Sequence, residues 1–288
     1  ARAERDFKRR LNQLATEVQA LYEPVLVGGA QMVRVTNRQY EFLLDPAVLN
    51  IMASALTAMA ERIFLEGGPD NLWYSLEYVI PAYTQGTAQQ IANLGQQSPV
   101  YRASRPNIAA LIQTPAYQRR IGYLRARQFE NMAGFTGDVV KSVALKLSDG
   151  MARGENPRTV ARSLAAEVRG QQYRADRIAR TEIGNALRQA RMDESDQAAR
   201  ELGIRTMEMH VSAFSPTTRP SHAARSGTIH SHEDQRAGWA QGANSINCRC
   251  STVSILVDAN GNPETPGVIE RALQVKRRML ERRPELAE

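Results

Sequence analysis

The sequence predicts a mainly α protein, in which an elongated helical body carries a small appended α+β module near the C-terminus. Apolar residues recur at spacings of three and four through most of the first 203 residues, which is the pattern of amphipathic helices. After Gly203 the pattern changes to alternation, which is typical of half-buried strands. We therefore expect a helical body over residues 1–203 with a sub-boundary near 115, a β-containing module over 204–258, and a C-terminal basic helix over 259–288.

Capping residues indicate where the predicted helices begin and end. The first helix covers residues 1–22 and is ended by Pro24 and the glycine pair 28–29, because proline inside a helix removes a hydrogen bond. The second starts at Pro46, with Asp45 as its N-cap, and runs to Leu65. The remaining helices are predicted over residues 71–94, 117–132, 139–151, 157–170 and 174–202, with short helical turns between Pro99 and Pro115.

The predicted module contains two strands, at 204–214 and 251–257, because these segments alternate or are rich in β-branched residues. The polar segment 215–247 between them is too long for a simple connection in a compact domain, so it is functional or internally structured. A last helix over 268–283 is predicted to carry six basic residues: Arg271, Lys276, Arg277, Arg278, Arg282 and Arg283.

Composition favours a partner with acidic groups over a membrane. The net charge is +7, and all but four of the 37 basic residues are arginine, whose planar fork of donors suits phosphate and carboxylate. A solvated surface explains the same excess equally well. The most apolar run, 51–65, is interrupted by Ser54, Glu61 and Arg62, and the polar start lacks the apolar centre of a secretory signal. We expect no membrane partner and synthesis in a reducing cytoplasm.

The histidines and cysteines suggest a metal site. All four histidines and both cysteines lie within 41 residues, and a disulfide between cysteines two positions apart would be strained. Zinc prefers thiolate and neutral imidazole, so His222, Cys248 and Cys250 with either His230 or His232 are the candidate ligands. The alternative is that the cysteines flank a strand start and the histidines occupy loops without any metal, so that no cofactor is bound. The six residues are His210, His222, His230, His232, Cys248 and Cys250.

An enzymatic site is the less favoured interpretation. His222 with Glu233 or Asp234, or Cys248 with a nearby histidine, offers a nucleophile and a base. The sequence contains no nucleophile elbow, phosphate-binding glycine loop or His-Glu-x-x-His motif. We therefore assign no catalytic residue, expect a protein that is not an enzyme, and interpret segment 215–222 as a structured turn in which Arg219 and His222 bond to loop carbonyls.

Four arginines on the longest predicted helix share one face. Arg174, Arg177, Arg188 and Arg191 recur at offsets of 0, 3, 14 and 17 residues. Such a stripe is suited to contact DNA or an acidic partner, and a solvated face with ion pairs is the alternative.

The order and spacing of these motifs resemble a known family. The run 174–191, the segment 217–229, Trp239 and Asn-Cys-Arg-Cys at 247–250 resemble the Mu-type phage head morphogenesis proteins, which are minor capsid proteins that work with the portal. The resemblance covers about 80 residues, from 174 to about 256. The matched positions are Arg180, Thr181, Glu182, Arg219, Pro220, His222, Gly227, Asn247, Cys248, Arg249 and Cys250.

The resemblance implies a structural role in the virion of a tailed phage. The expected protein is made in the bacterial cytoplasm, binds the portal and other head proteins at the inner head, and has packaged DNA as a further candidate partner. Some relatives carry toxin or enzyme domains at their C-terminal ends, and the roughly 38 residues after Cys250 are expected to leave no room for one. The alternatives are a metal-dependent hydrolase or nuclease carried in the virion, centred on His222 and the cysteines, and a nucleic-acid-binding module.

Overall fold

The computed structural model describes residues 2–35, 38–105 and 107–287, and it confirms a mainly α protein with a small α+β part near the C-terminus. The helices are α1 (Arg2–Gly28), α2 (Pro46–Phe64), α3 (Gly68–Asn71), α4 (Ile80–Gln97), α5 (Pro99–Ser104), α6 (Ile108–Ile112), α7 (Pro115–Ala152), α8 (Pro157–Gly170), α9 (Gln172–Leu202), α10 (Pro220–Ala224), α11 (His232–Ala240) and α12 (Pro266–Arg282), with a π-helical turn at Ser75–Val79 and a 3₁₀ turn at Pro284–Leu286. The strands are β1 (Ala30–Arg34), β2 (Gln39–Phe42), β3 (Thr206–Val211), β4 (Ile229–His230) and β5 (Ser251–Leu256).

The chain divides into two compact units. We call residues 1–77 with 122–179 the helical unit, and residues 78–121 with 180–288 the motif unit. The divisions fall inside the π-helical turn, α7 and α9. This partition does not follow the predicted boundaries at 203 and 258, because α4 and the second part of α9 belong with the sheet.

The core of the helical unit forms around α1. Its apolar residues at three-four spacing, Phe7, Leu11, Leu14 and Val18, are fully buried where α1 packs against α8 and α2. Phe7 also lies in an aromatic cluster, with its ring centroid 5.2 Å from that of Trp73 in an edge-on arrangement. The three-four pattern therefore predicted the buried face of this helix correctly.

Three features of the helical unit differ from the sequence predictions. Helix α1 continues through Pro24 to Gly28, because its packing against α8 outweighs the one hydrogen bond that proline removes. Helix α7 is continuous across Gly134 and Gly137, which only weaken a helix. The antiparallel hairpin of β1 and β2 was not predicted, and it is held by a hydrogen bond from the Tyr40 amide to the Gly154 carbonyl at 2.9 Å.

Helix α2 begins as predicted, with the Asp45 side chain accepting from the Ala47 amide at 2.7 Å. Among the described residues, 46–71 is the one helical stretch that is long and apolar enough to cross a bilayer, by length and composition alone, and 28% of its apolar 18-residue window is buried. Met52, Leu56 and Ile63 are part of its buried face. A core helix passes the same test, so the expectation of no membrane partner stays a prediction.

The motif unit contains a three-stranded antiparallel sheet in the order β4-β3-β5. Both predicted strands are present, and segment 215–247 is internally structured, since it forms α10, β4 and α11. Helix α4 joins the sheet through Asn93 and Gln97, whose side-chain amides donate to the Ser254 carbonyl at 2.8 and 2.9 Å. Helix α4 therefore belongs to the same unit as the sheet, and not to a separate helical body as predicted, because its polar side chains complete the hydrogen bonding of β5.

Candidate functional site: a buried histidine and cysteine cluster

One face of the sheet carries polar side chains and is buried. Glu208 pairs with Ser254 and His210 pairs with Thr252 across β3 and β5. Since alternate residues of a strand share a face, Cys250 continues this face one step beyond Thr252. Each of these side chains is at most 3% exposed. A buried polar face of this kind requires partners for its polar groups, and the next elements supply them.

His210 occupies the central strand with one ring nitrogen unused. Its Nδ1 lies 3.3 Å from Nε2 of Gln235 on α11. The Gln235 oxygen accepts from Arg225, so the amide nitrogen is the atom that faces His210, and the imidazole proton is on Nε2. This Nε2 is buried and has no hydrogen-bond partner among the described residues.

His222 is positioned by the turn that starts α10. Pro220 is the first residue of this helix, and Arg219, at its N-cap, donates to the carbonyls of Ala243 and Ile246 at 3.0 and 3.2 Å. The predicted bonding of Arg219 to loop carbonyls is confirmed. His222 Nε2 lies 3.3 Å from Asn244 Oδ1.

The tautomer of His222 follows from its neighbour. The Asn244 side-chain nitrogen donates to the Gly238 carbonyl at 2.9 Å, which fixes the amide oxygen as the atom that faces the ring. His222 therefore donates from Nε2, and its Nδ1 carries a lone pair. That lone pair faces Cys248 Sγ at 3.3 Å.

The two cysteines follow a left-handed residue. Asn247 has φ of 53°, a conformation that asparagine tolerates better than most residues, and its amide donates to Thr181 Oγ1 on α9 at 2.9 Å. Arg188, which is 3% exposed, donates to the carbonyls of Cys248 and Cys250 and stacks over the Trp239 ring at 4.5 Å. This segment is thus held to α9 from both ends.

The pKa values of the two cysteine thiols are shifted in opposite directions. A hydrogen bond from Cys248 is the largest influence on Cys250 and lowers its pKa, against the opposing effect of burial. The same hydrogen bond to Cys250, followed by burial, raises the pKa of Cys248.

The arrangement brings together atoms of the kind that bind zinc. The ligand atoms of His210, His222 and Cys250 all lie within 4.8 Å of one another, and Cys248 Sγ is beside His222. Their side chains are 1%, 3%, 3% and 7% exposed, in the order His210, His222, Cys250 and Cys248. Two imidazoles and two thiols form a nitrogen and sulfur donor set.

Two of the predicted metal ligands lie elsewhere. His230 Nε2 is 2.7 Å from Thr228 Oγ1, and His232 hydrogen-bonds Asp196 and lies 3.0 Å from Thr206 Oγ1. Neither His230 nor His232 therefore lies beside His222 and the cysteines, as had been predicted. The histidine that does lie there is His210 on β3. The alternation of β3 and β5 was the signal that could have identified it.

The predicted pair of His222 with Glu233 or Asp234 is not assembled, whereas Cys248 does lie beside a histidine, with its Sγ 3.3 Å from His222 Nδ1. Glu233 and Asp234 are exposed on the first turn of α11, where Asp234 accepts from Ser231 at its N-cap. His222 instead faces Asn244 and Cys248.

The four arginines of α9 do not form one exposed face. In the helical unit, Arg174 pairs with Asp138, while Arg177 is exposed. In the motif unit, Arg188 is buried, and Arg191 donates to Ser251 and to the Thr252 carbonyl. The expectation of an exposed stripe is wrong at Arg188 and Arg191, because that part of the helix covers the polar face of the sheet.

The remaining motif residues fall into buried and exposed groups. Gly227 has φ of 81°, and a Cβ there would lie 2.8 Å from the Leu273 side chain, so glycine suits both its backbone and its space. Glu182 is 9% exposed and attracts Arg188, whereas Arg249 points to solvent between the two buried cysteines. Arg180 is partly buried on α9.

Comparison with known proteins agrees with the motifs. Residues 141–253 match the family described as Phage Mu protein F like protein. A curated relative, the NAD(+)--arginine ADP-ribosyltransferase EFV of Enterococcus faecalis (strain ATCC 700802 / V583), is 22% identical over 201 residues, which cover 66% of this chain and 37% of the relative. No solved structure matches the chain significantly. The match confirms the resemblance: residues 141–253 of this chain are similar to the Phage Mu protein F like family, the Mu-type head morphogenesis family that the motifs predicted.

Proposed function

We propose that this chain is a structural, non-enzymatic protein of a tailed-phage head: a minor capsid protein that acts in head morphogenesis and is located in the virion after synthesis in the host cytoplasm. The family match over residues 141–253 supports this proposal. The strongest support is that residues of the matched motif make hydrogen bonds within the motif unit. Thr181, Arg188, Arg219 and Asn247 bond to backbone or side chains of the same unit.

Burial of the cluster argues against the alternative of a metal-dependent hydrolase or nuclease. Such an enzyme needs an open coordination position and access for water and substrate. His210 and His222 are 1% and 3% exposed, and Arg188 with Trp239 covers the cysteines. A buried donor set suits a structural role.

The curated relative does not change this proposal. Its printed activity is that of an ADP-ribosyltransferase, and this chain spans 37% of its length. Our proposal therefore assigns this chain no transferase activity. Incubation with NAD⁺ and an arginine-containing acceptor is expected to release no nicotinamide above a protein-free control.

The portal and neighbouring head proteins are the proposed partners, and packaged DNA is a further one. Helix α12 supports the contact with DNA, since Arg271, Arg277, Arg278 and Arg282 are exposed on it and outnumber its two acidic residues. Arginine at an exposed helix face attracts phosphate through long-range charge. We therefore place the proposed DNA contact on α12, and not on α9, where the arginine spacing had suggested it.

The portal contact is tested by co-expression of the untagged chain with the tagged portal protein of the phage that encodes it. We expect both to co-elute on size exclusion after affinity capture. An unrelated tagged protein of similar size and charge serves as the matched bait control. Failure to co-elute with the portal at both low and moderate salt, from cells where the chain is soluble, would contradict the proposal.

A further inference from the structure

We propose that His210, His222, Cys248 and Cys250 form a closed zinc site that ties β3, α10 and the entry to β5 together. The proposed role in the phage head does not require this site, so the two proposals stand apart. It rests on the distances, the burial and the unused nitrogen of the cluster.

The spacing of the donor atoms fits tetrahedral zinc after small side-chain movements. Zinc bonds of about 2.0–2.1 Å to nitrogen and about 2.3 Å to sulfur place neighbouring ligand atoms about 3.3 to 3.8 Å apart. The separation of 3.3 Å between His222 Nδ1 and Cys248 Sγ already meets this value. The His210, His222 and Cys250 ligand atoms lie within 4.8 Å of one another, so a contraction on the order of 1 Å completes the set.

Of the two histidines, His222 already presents the lone pair that zinc binding requires. His222 presents an unprotonated Nδ1 because its Nε2 donates to Asn244, and hydrogen bonds of this kind orient metal-bound histidines. His210 presents the buried Nε2 that has no hydrogen-bond partner among the described residues. For this nitrogen to bind zinc, the ring proton must move to Nδ1. A half-turn of the Gln235 amide then offers an oxygen to that proton and gives up the bond that this oxygen accepts from Arg225.

The charges also balance. Zinc bound by two thiolates and two neutral imidazoles is neutral, and binding releases the thiol protons to solvent. The neutral site leaves the buried Arg188 guanidinium in contact with the carbonyls of both cysteines and attracted by Glu182. Because all four positions are filled by protein atoms, the site has a structural and not a catalytic geometry.

The chain supplies its own controls. His230 and His232 have other partners, at Thr228 and Asp196, so the proposal predicts that neither binds zinc. His230 is the better control, because His232 also contacts the buried Glu208 at 3.3 Å.

The test is the metal content of the full chain purified under reducing conditions without chelator. We expect about one zinc per chain by elemental analysis and by native mass spectrometry. After exchange, Co²⁺ should give the intense visible bands of a tetrahedral site and the near-ultraviolet charge-transfer band of thiolate ligation. His210→Ala and Cys250→Ser should lose both signals, and His230→Ala should keep them.

Two results would overturn the proposal. The first is less than about 0.1 equivalent of zinc in folded wild-type protein together with no thiolate band on adding Co²⁺, a result that does not depend on any variant folding. The second is a His210→Ala variant that keeps its zinc. Either result would leave the role in the phage head untouched, since head incorporation is measured separately.

Discussion

The guanidinium of Arg188, on helix α9, donates a hydrogen bond to the backbone carbonyl of Cys250 at 3.1 Å. The same nitrogen lies 3.2 Å from the Cys248 carbonyl. A single side chain therefore orders the segment that turns both thiols toward the histidines. Because Arg188 and Arg191 both make such internal bonds, we expect a charge reversal at either position to destabilise the motif unit rather than to report on DNA binding.

Replacement of this arginine is expected to be costly. Arg188→Met leaves two buried carbonyls without their donor, and we expect a loss of about 2–4 kcal/mol in the free energy of unfolding. Urea unfolding followed by circular dichroism measures it. Arg177→Met, at an exposed position of the same helix, is the matched control and should change stability by less than about 0.5 kcal/mol. Equal effects at the two positions would contradict this role of Arg188.

The basic helix α12 is expected to determine binding to DNA. The double variant Arg277→Glu, Arg278→Glu should weaken binding to duplex DNA and flatten its dependence on salt by about two units of slope, if both side chains contact phosphate. Fluorescence anisotropy across a salt series measures it. The control Arg162→Glu, Arg169→Glu removes two exposed arginines from α8 with the same change in net charge. Identical salt slopes for the two variants would rule out a specific role of α12.

The left-handed conformation of Asn247 gives a graded stability series. Asn247 has φ of 53°, a backbone conformation in which a β-branched residue is strained. Asn247→Val should therefore lower the free energy of unfolding by about 1–2 kcal/mol. Asn247→Gly should change it by less than about 0.5 kcal/mol, because glycine adopts this conformation freely. Thermal and urea unfolding measure both variants. A valine variant as stable as the glycine variant would show that the turn is not held in this conformation.

Asp196 gives the motif unit a stability that depends on pH. Burial raises its pKa, but hydrogen bonds from His232 and Arg236 outweigh burial and hold it below its ordinary value of 3.8. The folded state then binds fewer protons than the unfolded state in that range. The stabilisation is full above pH 3.8 and is lost as the pH falls through the lowered pKa.

The Asp196→Asn variant tests this dependence. The stability gap between wild type and Asp196→Asn should be larger at about pH 5 than at about pH 3. Urea unfolding at both pH values measures it. Asp149→Asn, at an exposed pair on α7, is the control and should show no such change. A constant gap for Asp196→Asn would contradict the pairing with His232.

Local chemistry made much of the fold predictable. The helix starts predicted at 46 and 157 and the helix end predicted at 202 lie where expected. The preferences of the caps Asp45 and Asn156 and of Gly203, which follows the last of these helices, act within a few residues. The passage of α1 through Pro24 depends on packing against α8, a contact between residues far apart in sequence. Local signals carry no information about such contacts.

The candidate site was predictable in part for the same reason. The density of histidine and cysteine identified the segment, and the turn at Arg219 followed from its residue types. The choice of His210 over His230 depends on which strand is central in the sheet. The burial of Arg188 depends on which face of α9 covers that sheet, and this is a tertiary property.

The proposed role as a structural head protein is tested by quantitative mass spectrometry of purified DNA-filled heads of the phage that encodes the chain. A structural head protein should be recovered at a constant ratio to the portal protein through successive density-gradient steps, and treatment of the intact heads with nuclease should not release it. If the chain is abundant in the infected-cell lysate but absent from heads and from their assembly precursors, the proposal that it is a head protein is contradicted.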